Sequence, residues 1–416
     1  MCRPLRCLLA ALLSAPLHAA VPGFDGGHLK LAATGRSYPD DSLLRAAAGS
    51  RSLERSGDLR LRVAAHREGL GVVAHYQVLG QWRDAGALHS PVPGLFDLAA
   101  KPPDDRRRWW DLTDSLDRGD AHAAVQRLDR LYAEYAGEQT VLRFGRQAVS
   151  WGNGLIYTPM DFFNPFDPAA VDTQYKPGDD MLYGQYLLED GSDWQFVQVQ
   201  RRDAQGEFSA KVSSTALKFH GFGLQREFDL LLARHFDETV LGAGGALNTG
   251  AAILRGDITV THTREEWVAS AVANWSYSWV WGAHNVSGVL EYFFNGFGLR
   301  QSDYELSELG PDSALLQRLA RGELFTLGRH YLAGSLLLEL NPLLSVTPNL
   351  FLNLGDGSAL AQLVLRWDAG QNWELLAALS APLGPAGTEY GGLESGIDDL
   401  SLAAGPSLFA QIAWYF

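Results

Sequence analysis

The stretch Glu266–Trp279, EWVASAVANWSYSW, places Trp267, Ala269, Ala271, Ala273, Trp275, Tyr277 and Trp279 on one parity. The other parity carries Glu266, Ser270, Asn274, Ser276 and Ser278, with Val268 and Val272 as exceptions. A period of two with one apolar and one polar face is a strand lying between oil and water. The pattern recurs. Val286, Leu290, Tyr292 and Phe294 oppose Asn285, Ser287, Glu291 and Asn295; Leu254, Ile258 and Val260 oppose Arg255, Asp257, Thr259 and Thr261; Leu59, Leu61 and Val63 oppose Arg60, Arg62 and His66. These strands run to about ten to fourteen residues, whereas strands of soluble proteins cluster near five or six. Aromatics stand at both ends of the apolar face in Glu266–Trp279. A strand that crosses a bilayer needs about 9–11 residues and carries aromatic girdles at both interfaces.

Composition agrees with an exported, membrane-embedded all-β chain. The 416 residues include 44 glycines, 12 tryptophans, 14 tyrosines and 19 phenylalanines but only 3 methionines. Residues 1–20, with Arg3, Arg6, an apolar run from Leu8 to Leu13 and small residues at Ala19 and Ala20, have the layout of a cleaved signal peptide. Residues 21–416 then form a single domain. Both cysteines, Cys2 and Cys7, fall in the leader, and loss of Arg3 and Arg6 takes the net charge from −14 to −16. That acidity argues against nucleic acid as a partner. No stretch after the leader reaches the roughly 18 consecutive apolar residues of a transmembrane helix.

Alternation and turn residues predict eighteen strands, near 28–35, 57–66, 70–82, 122–136, 139–150, 181–189, 193–202, 212–222, 227–236, 239–247, 251–263, 266–279, 285–297, 325–340, 344–354, 359–368, 372–382 and 407–416. The long connections 36–56, 83–121, 151–180, 298–324 and 383–406 all follow odd-numbered strands, while REGL, EDGS, NTG, NPL and AGQ follow even-numbered ones. An up-and-down antiparallel barrel with short periplasmic turns and long outer loops sorts its connections in this way. The final stretch, SLFAQIAWYF, alternates Leu408, Ala410, Ile412, Trp414 and Phe416 against Phe409, Gln411, Ala413 and Tyr415. It reads as the closing strand, and its aromatic end resembles the C-terminal signal by which the assembly machinery reads bacterial outer-membrane barrels. The expected setting is therefore outer-membrane lipid and lipopolysaccharide.

One segment departs from the plain pattern. Gly145-Arg146-Gln147 is followed by Trp151-Gly152 and a loop dense in proline and aromatics, and Glu291–Gly298 reads EYFFNGFG. These stretches resemble the G-R-Q signature of porin-like outer-membrane families, including alginate-export-type barrels, which implies a porin-like barrel with a long loop after the G-R-Q strand. Arg143 and Arg146 lie on opposite parities, so a bulge near Gly145 is expected to keep both from lipid. The 151–180 loop is too apolar to stand in water and is expected to fold inward and narrow the pore through Trp151, Tyr157, Asp161, Phe162, Phe163 and Asp167.

The polar parities nominate Arg60, Arg62, Arg130, Glu134, Arg143, Gln147, Lys218, Arg255, Asp257, Glu291, Arg329, Glu339 and Arg366 for the lumen. Charges of both signs call for a water-filled interior, where rings of charge select solutes. Acidic runs at Asp161–Asp180 and Glu389–Asp399 suit solvated outer loops, cation bridges to lipopolysaccharide, or attraction of cationic solutes. No G-x-S-x-G or H-E-x-x-H occurs and the histidines are scattered, so the chain is not expected to be an enzyme or to hold a metal or cofactor. The expected activity is passive diffusion of small polar solutes. The alternatives are an exit duct for a polymer, a sheath for a periplasmic partner, or a plugged structural or surface-binding barrel.

Overall fold

A computed structural model of the protein describes residues 23–84, 102–300, 304, 313–395 and 400–416. The expected leader, residues 1–20, lies outside them.

Eighteen strands close into one antiparallel barrel: β1 Phe24–Ser37, β2 Arg51–Arg67, β3 Leu70–Arg83, β4 His122–Ala136, β5 Thr140–Gln147, β6 Asp179–Leu187, β7 Asp193–Val199, β8 Ser214–Gly223 and β9 Arg226–His235, then β10 Glu238–Thr249, β11 Ala252–His262, β12 Trp267–Trp281, β13 His284–Phe294, β14 His330–Asn341, β15 Leu344–Asn353, β16 Ala359–Gly370, β17 Trp373–Leu383 and β18 Ser407–Tyr415. Each strand pairs with its sequence neighbours, and β18 pairs with β1 from His28↔Tyr415 to Arg36↔Ser407. Every ladder edge is thereby satisfied, as hydrocarbon requires.

The boundaries correct the expected ones where polar loops begin. β5 stops at Gln147 rather than at 150, β14 starts at His330 rather than at 325, and β2 begins at Arg51 rather than at 57. The outer surface is apolar. Leu31, Leu142, Phe144, Leu230, Leu232, Ile258, Leu290, Leu363 and Leu408 are all exposed on the outward parity. Aromatics gather near the periplasmic turns, where Trp275, Tyr277 and Trp279 stack at 5.8 Å intervals and Trp373, Trp414 and Phe416 form a second series. Rings with an apolar body and a polar edge suit that interface.

Phe416 is anchored, not frayed. Its carbonyl accepts from the Gly27 N–H at 2.7 Å, its N–H donates to Gly27, and its ring stacks 6.4 Å from Phe24. A Cβ on Gly27 would lie 2.2 Å from the Arg60 carbonyl oxygen and 2.8 Å from the Phe416 ring.

Three outer connections build a small core of their own. Helix α1 (Leu43–Ala48), capped by the Ser42 hydroxyl, and helix α2 (Ala314–Arg321), capped by Ser313, bury Leu44, Leu315 and Leu319 with Tyr38, Tyr304, Leu327, Leu393 and Leu402. This cap covers part of the outer mouth.

The seam predicts that Gly27→Ala disrupts closure. The folded, fast-migrating band of unheated samples in cold electrophoresis should fall relative to wild type, with the loss concentrated in outer-membrane fractions.

Candidate functional site

Residues 148–178, between β5 and β6, fold into the lumen and are held there by inward side chains from most of the wall. Trp151 donates to Gln195 on β7 at 2.7 Å. Asn153 donates from its amide to Asp229 on β9 at 2.9 Å and to Asp257 on β11 at 2.8 Å, and Asp257 also accepts the Asn153 backbone N–H at 2.6 Å. Glu291 on β13, fully buried, accepts three successive backbone N–H groups, from Leu155, Ile156 and Tyr157, at 2.6–3.1 Å. The far limb is fixed by Lys30–Asp172 at 2.5 Å, by Arg130 donating to the Lys176 carbonyl, and by the Arg60 guanidinium 4.1 Å above the Tyr175 ring. Gln362 on β16 donates to the Ala169 carbonyl at 2.9 Å.

The loop's apolar residues meet apolar inward residues. Trp151, Met160, Phe162 and Phe163 pack with Met181, Tyr183, Val197, Val199 and Leu231, while Tyr157 stacks 4.8 Å from Phe293 beside Tyr331. Asp161 is buried and pairs with Lys176 at 2.6 Å. Burial pushes its carboxyl up to about 6 against the pull of Lys176. Asp167 accepts from the Ala169 N–H and is exposed within the lumen, where desolvation by the surrounding wall raises its carboxyl.

The charged candidates therefore divide. Arg60 and Arg130 share Asp129 at 2.6 and 2.8 Å, Lys218 pairs with Asp229 at 2.9 Å, and Arg143 pairs with Glu134 at 2.9 Å. Gln147 donates to the Met181 carbonyl at 3.4 Å. Lower in the barrel, Arg62 bonds the Asp25 carbonyl, Arg255 bonds Ser276, and Glu339 accepts from Asn285. Arg366, half-exposed, lies 3.9 Å from Glu374. Arg329 is a correction: it precedes β14 in an outer connection and donates to the Gly298 carbonyl.

A cavity of about 510 Å³ remains between residues 155–173 of the loop and the wall formed by β14, β15 and β16. Its wall side presents Ser335, Ser345, Thr347, Asn349, Gln362 and Arg366. Sequence reading placed Gln362 and Arg366 in the lumen but missed Ser335, Ser345, Thr347 and Asn349, because it ranked charge above hydroxyl. The available signal was their shared inward parity.

The expected bulge at Gly145 is absent. Register runs unbroken through Tyr132↔Gly145 and Leu131↔Arg146. Arg146 shares the outward parity of Phe144 and Leu182 yet is fully buried. Residues 104–112 fold over it: Asp105 and Asp180 bind its guanidinium at 2.7–3.1 Å, the Trp110 carbonyl accepts at 2.8 Å, and Trp109 and Trp110 pack on Phe144 at 5.6 and 5.3 Å. An additional strand, Thr113–Arg118, continues the wall beside β4 above the short β5. Gly145 is required here, at φ 138° with a virtual Cβ 2.1 Å from the Leu131 carbonyl oxygen.

In the acidic runs, Asp161, Asp172, Asp179, Asp180 and Glu389 are bound by other groups, while Asp167 and Glu394 are exposed. Asp179 and Asp180 head β6 and bind Arg201 and Arg146. Glu389 is half-buried beside the cap, accepting from the Tyr331 hydroxyl, the Asn353 amide at 2.7 Å and the Leu327 N–H at 2.9 Å. Burial pushes its carboxyl up to about 7. Asp398 and Asp399 lie outside the described residues.

No protein-family model and no curated protein matches the chain. Solved structures do match it in fold. OccAB4 of Acinetobacter baumannii aligns with TM-score 0.51 at 9% identity over 94% of this chain and 97% of its own. OpdK of Pseudomonas aeruginosa, solved with vanillate, aligns with TM-score 0.51 at 11% identity over 95% and 100%. Wzi of Escherichia coli, described as a carbohydrate-binding barrel involved in group 1 capsule assembly, aligns with TM-score 0.52 at 12% identity over 94% and 85%. The chain thus has the porin-like fold of bacterial outer-membrane β-barrels, and its closed sheet with an apolar exterior belongs in the bacterial outer membrane.

Two outcomes follow. Arg146→Ala leaves Asp105 and Asp180 buried without their partner and should cost about 3–5 kcal/mol, read as a lower unfolding midpoint in urea with lipid present. Glu389 has a folded-state pKa above its unfolded one, so the folded state binds more protons between about pH 4.5 and 7 and its contribution to stability declines as pH rises through that window. Hydrogen exchange in residues 384–395 should quicken from pH 5 to pH 8 beyond the intrinsic rate, and Glu389→Gln should flatten that excess.

Proposed function

We propose that this barrel is a passive outer-membrane channel for small polar solutes, constricted by the inward 148–178 loop. The observation that carries the reading is the cavity of about 510 Å³ left between that loop and β14–β16. Arg366, Arg255, Arg62 and Glu339 are the charged candidates retained for the water path. Arg60, Arg130, Lys218, Asp257 and Glu291 are assigned to holding the loop, with Trp151, Tyr157, Phe162 and Phe163 as its packing side. Kinship with alginate-export-type barrels belongs to the same proposal, supported by Gly145-Arg146-Gln147 and its use as an outer seal. Removal of residues 1–20 during export and recognition of the C-terminal strand by the assembly machinery complete it. Lipopolysaccharide is the natural outer-leaflet contact.

A second reading, a plugged barrel, is favoured by the apolar core that Tyr38, Leu44, Leu315 and Leu319 build over the outer mouth. Planar-bilayer recording separates the two. The channel reading expects discrete conductance steps from wild type. Glu291→Ala orphans three loop N–H groups at about 1–3 kcal/mol each, so it should enlarge and destabilise those steps while cold electrophoresis still shows a folded barrel. Silence from both proteins would favour the plug.

A further inference from the structure

We propose, on the channel reading above, that the passage is built for neutral, hydroxyl-rich solutes of about monosaccharide size, in preference to anions or cations of the same size. The wall facing the loop carries Ser335, Ser345, Thr347, Asn349 and Gln362, which donate and accept without net charge. The loop side adds the Phe166 ring and Pro168. Hydroxyl and amide groups opposite an apolar ring match a sugar, whose hydroxyls project from an apolar C–H face.

The charge arrangement points the same way. Selection of an ion needs an uncompensated ring or ladder of the opposite sign along its route. Lys30, Arg60, Arg130, Lys176 and Lys218 each lie 2.5–2.9 Å from a carboxylate. Asp257 and Glu291, which lack a cationic partner in their hydrogen-bond shells, are 4% and 0% exposed and are covered by the loop N–H groups they accept. Among the described residues of the passage, the charges open to water are Asp167 on the loop and Arg366 on the wall, which are of opposite sign; Glu374 lies 3.9 Å from Arg366, so no ring of a single sign forms. A neutral solute therefore meets hydroxyl and amide partners and loses no ionic hydration, whereas an ion of either sign meets one open charge of each sign and no ring of opposite charge to replace its hydration.

The test is swelling of liposomes carrying the full barrel, with glucose, gluconate and N-methylglucamine as probes of matched size, alongside reversal potentials in a salt gradient. Glucose should enter roughly twofold faster or more than either ion, and the wild-type reversal potential should lie near zero. Thr347→Asp, which sets one charge on the neutral wall, should displace the reversal potential toward cation selectivity and slow gluconate further. Entry of either ion about tenfold faster than glucose would overturn the proposal, as would a folded Thr347→Asp barrel with unchanged selectivity. Should that variant not assemble, the wild-type solute series decides the matter alone. If none of the three probes enters, the channel reading fails and this inference with it; rapid entry of ions with exclusion of glucose removes the inference and leaves the channel standing.

Discussion

Hydrocarbon offers no hydrogen-bond partner, so each backbone N–H and C=O within the bilayer must find one in the chain itself. Here the requirement is met by the β1–β18 seam, where register runs from His28↔Tyr415 to Arg36↔Ser407 and Phe416 exchanges both of its backbone hydrogen bonds with Gly27. A terminus that frays in most proteins becomes the last unit of a closed ladder. The same constraint makes glycine obligatory at Gly27, because the neighbouring Arg60 carbonyl and the Phe416 ring occupy the space a side chain would need.

Closure leaves the interior to a different problem, since a loop brought inward carries its own polar backbone. The wall answers with carboxylates at several heights: Asp257 accepts N–H groups from Asn153 and Gly154, and Glu291 accepts three more. Charge within the barrel thus serves chiefly to hold chain in place. The cavity that remains is lined by hydroxyls, amides and apolar side chains, with Asp167 and Arg366 as open charges of opposite sign. The cap adds a second polar network around Glu389, whose burial ties the outer loops to pH.

The outer wall shows how a guanidinium can occupy a lipid-facing parity. β5, β6 and β7 have eight, nine and seven residues, shorter than their neighbours, and residues 104–118 complete the wall above them. Arg146 is the rivet of that patch: it binds Asp105 and Asp180 while Trp109 and Trp110 close over Phe144. An exposed arginine near the midplane would cost about 2–4 kcal/mol; sealed by two carboxylates it instead fastens the loop to the barrel.

Most of the strands were legible because a bilayer imposes a period of two on residues adjacent in sequence, and loop lengths sorted by parity gave the topology. Glu266–Trp279 differs from the observed Trp267–Trp281 by a residue or two at either end. The inward candidates Arg60, Asp257 and Glu291 followed from the same alternation. What they do did not, because Asn153 and Asp257 are 104 residues apart, and Arg146 and Asp105 are 41 apart. Alternation fixes which face a side chain takes, and it is a local property. Which distant loop arrives to satisfy that side chain depends on the closed sheet bringing non-adjacent strands around one lumen, so the holding carboxylates, the Arg146 seal and the cavity beside the loop were decided by tertiary structure alone.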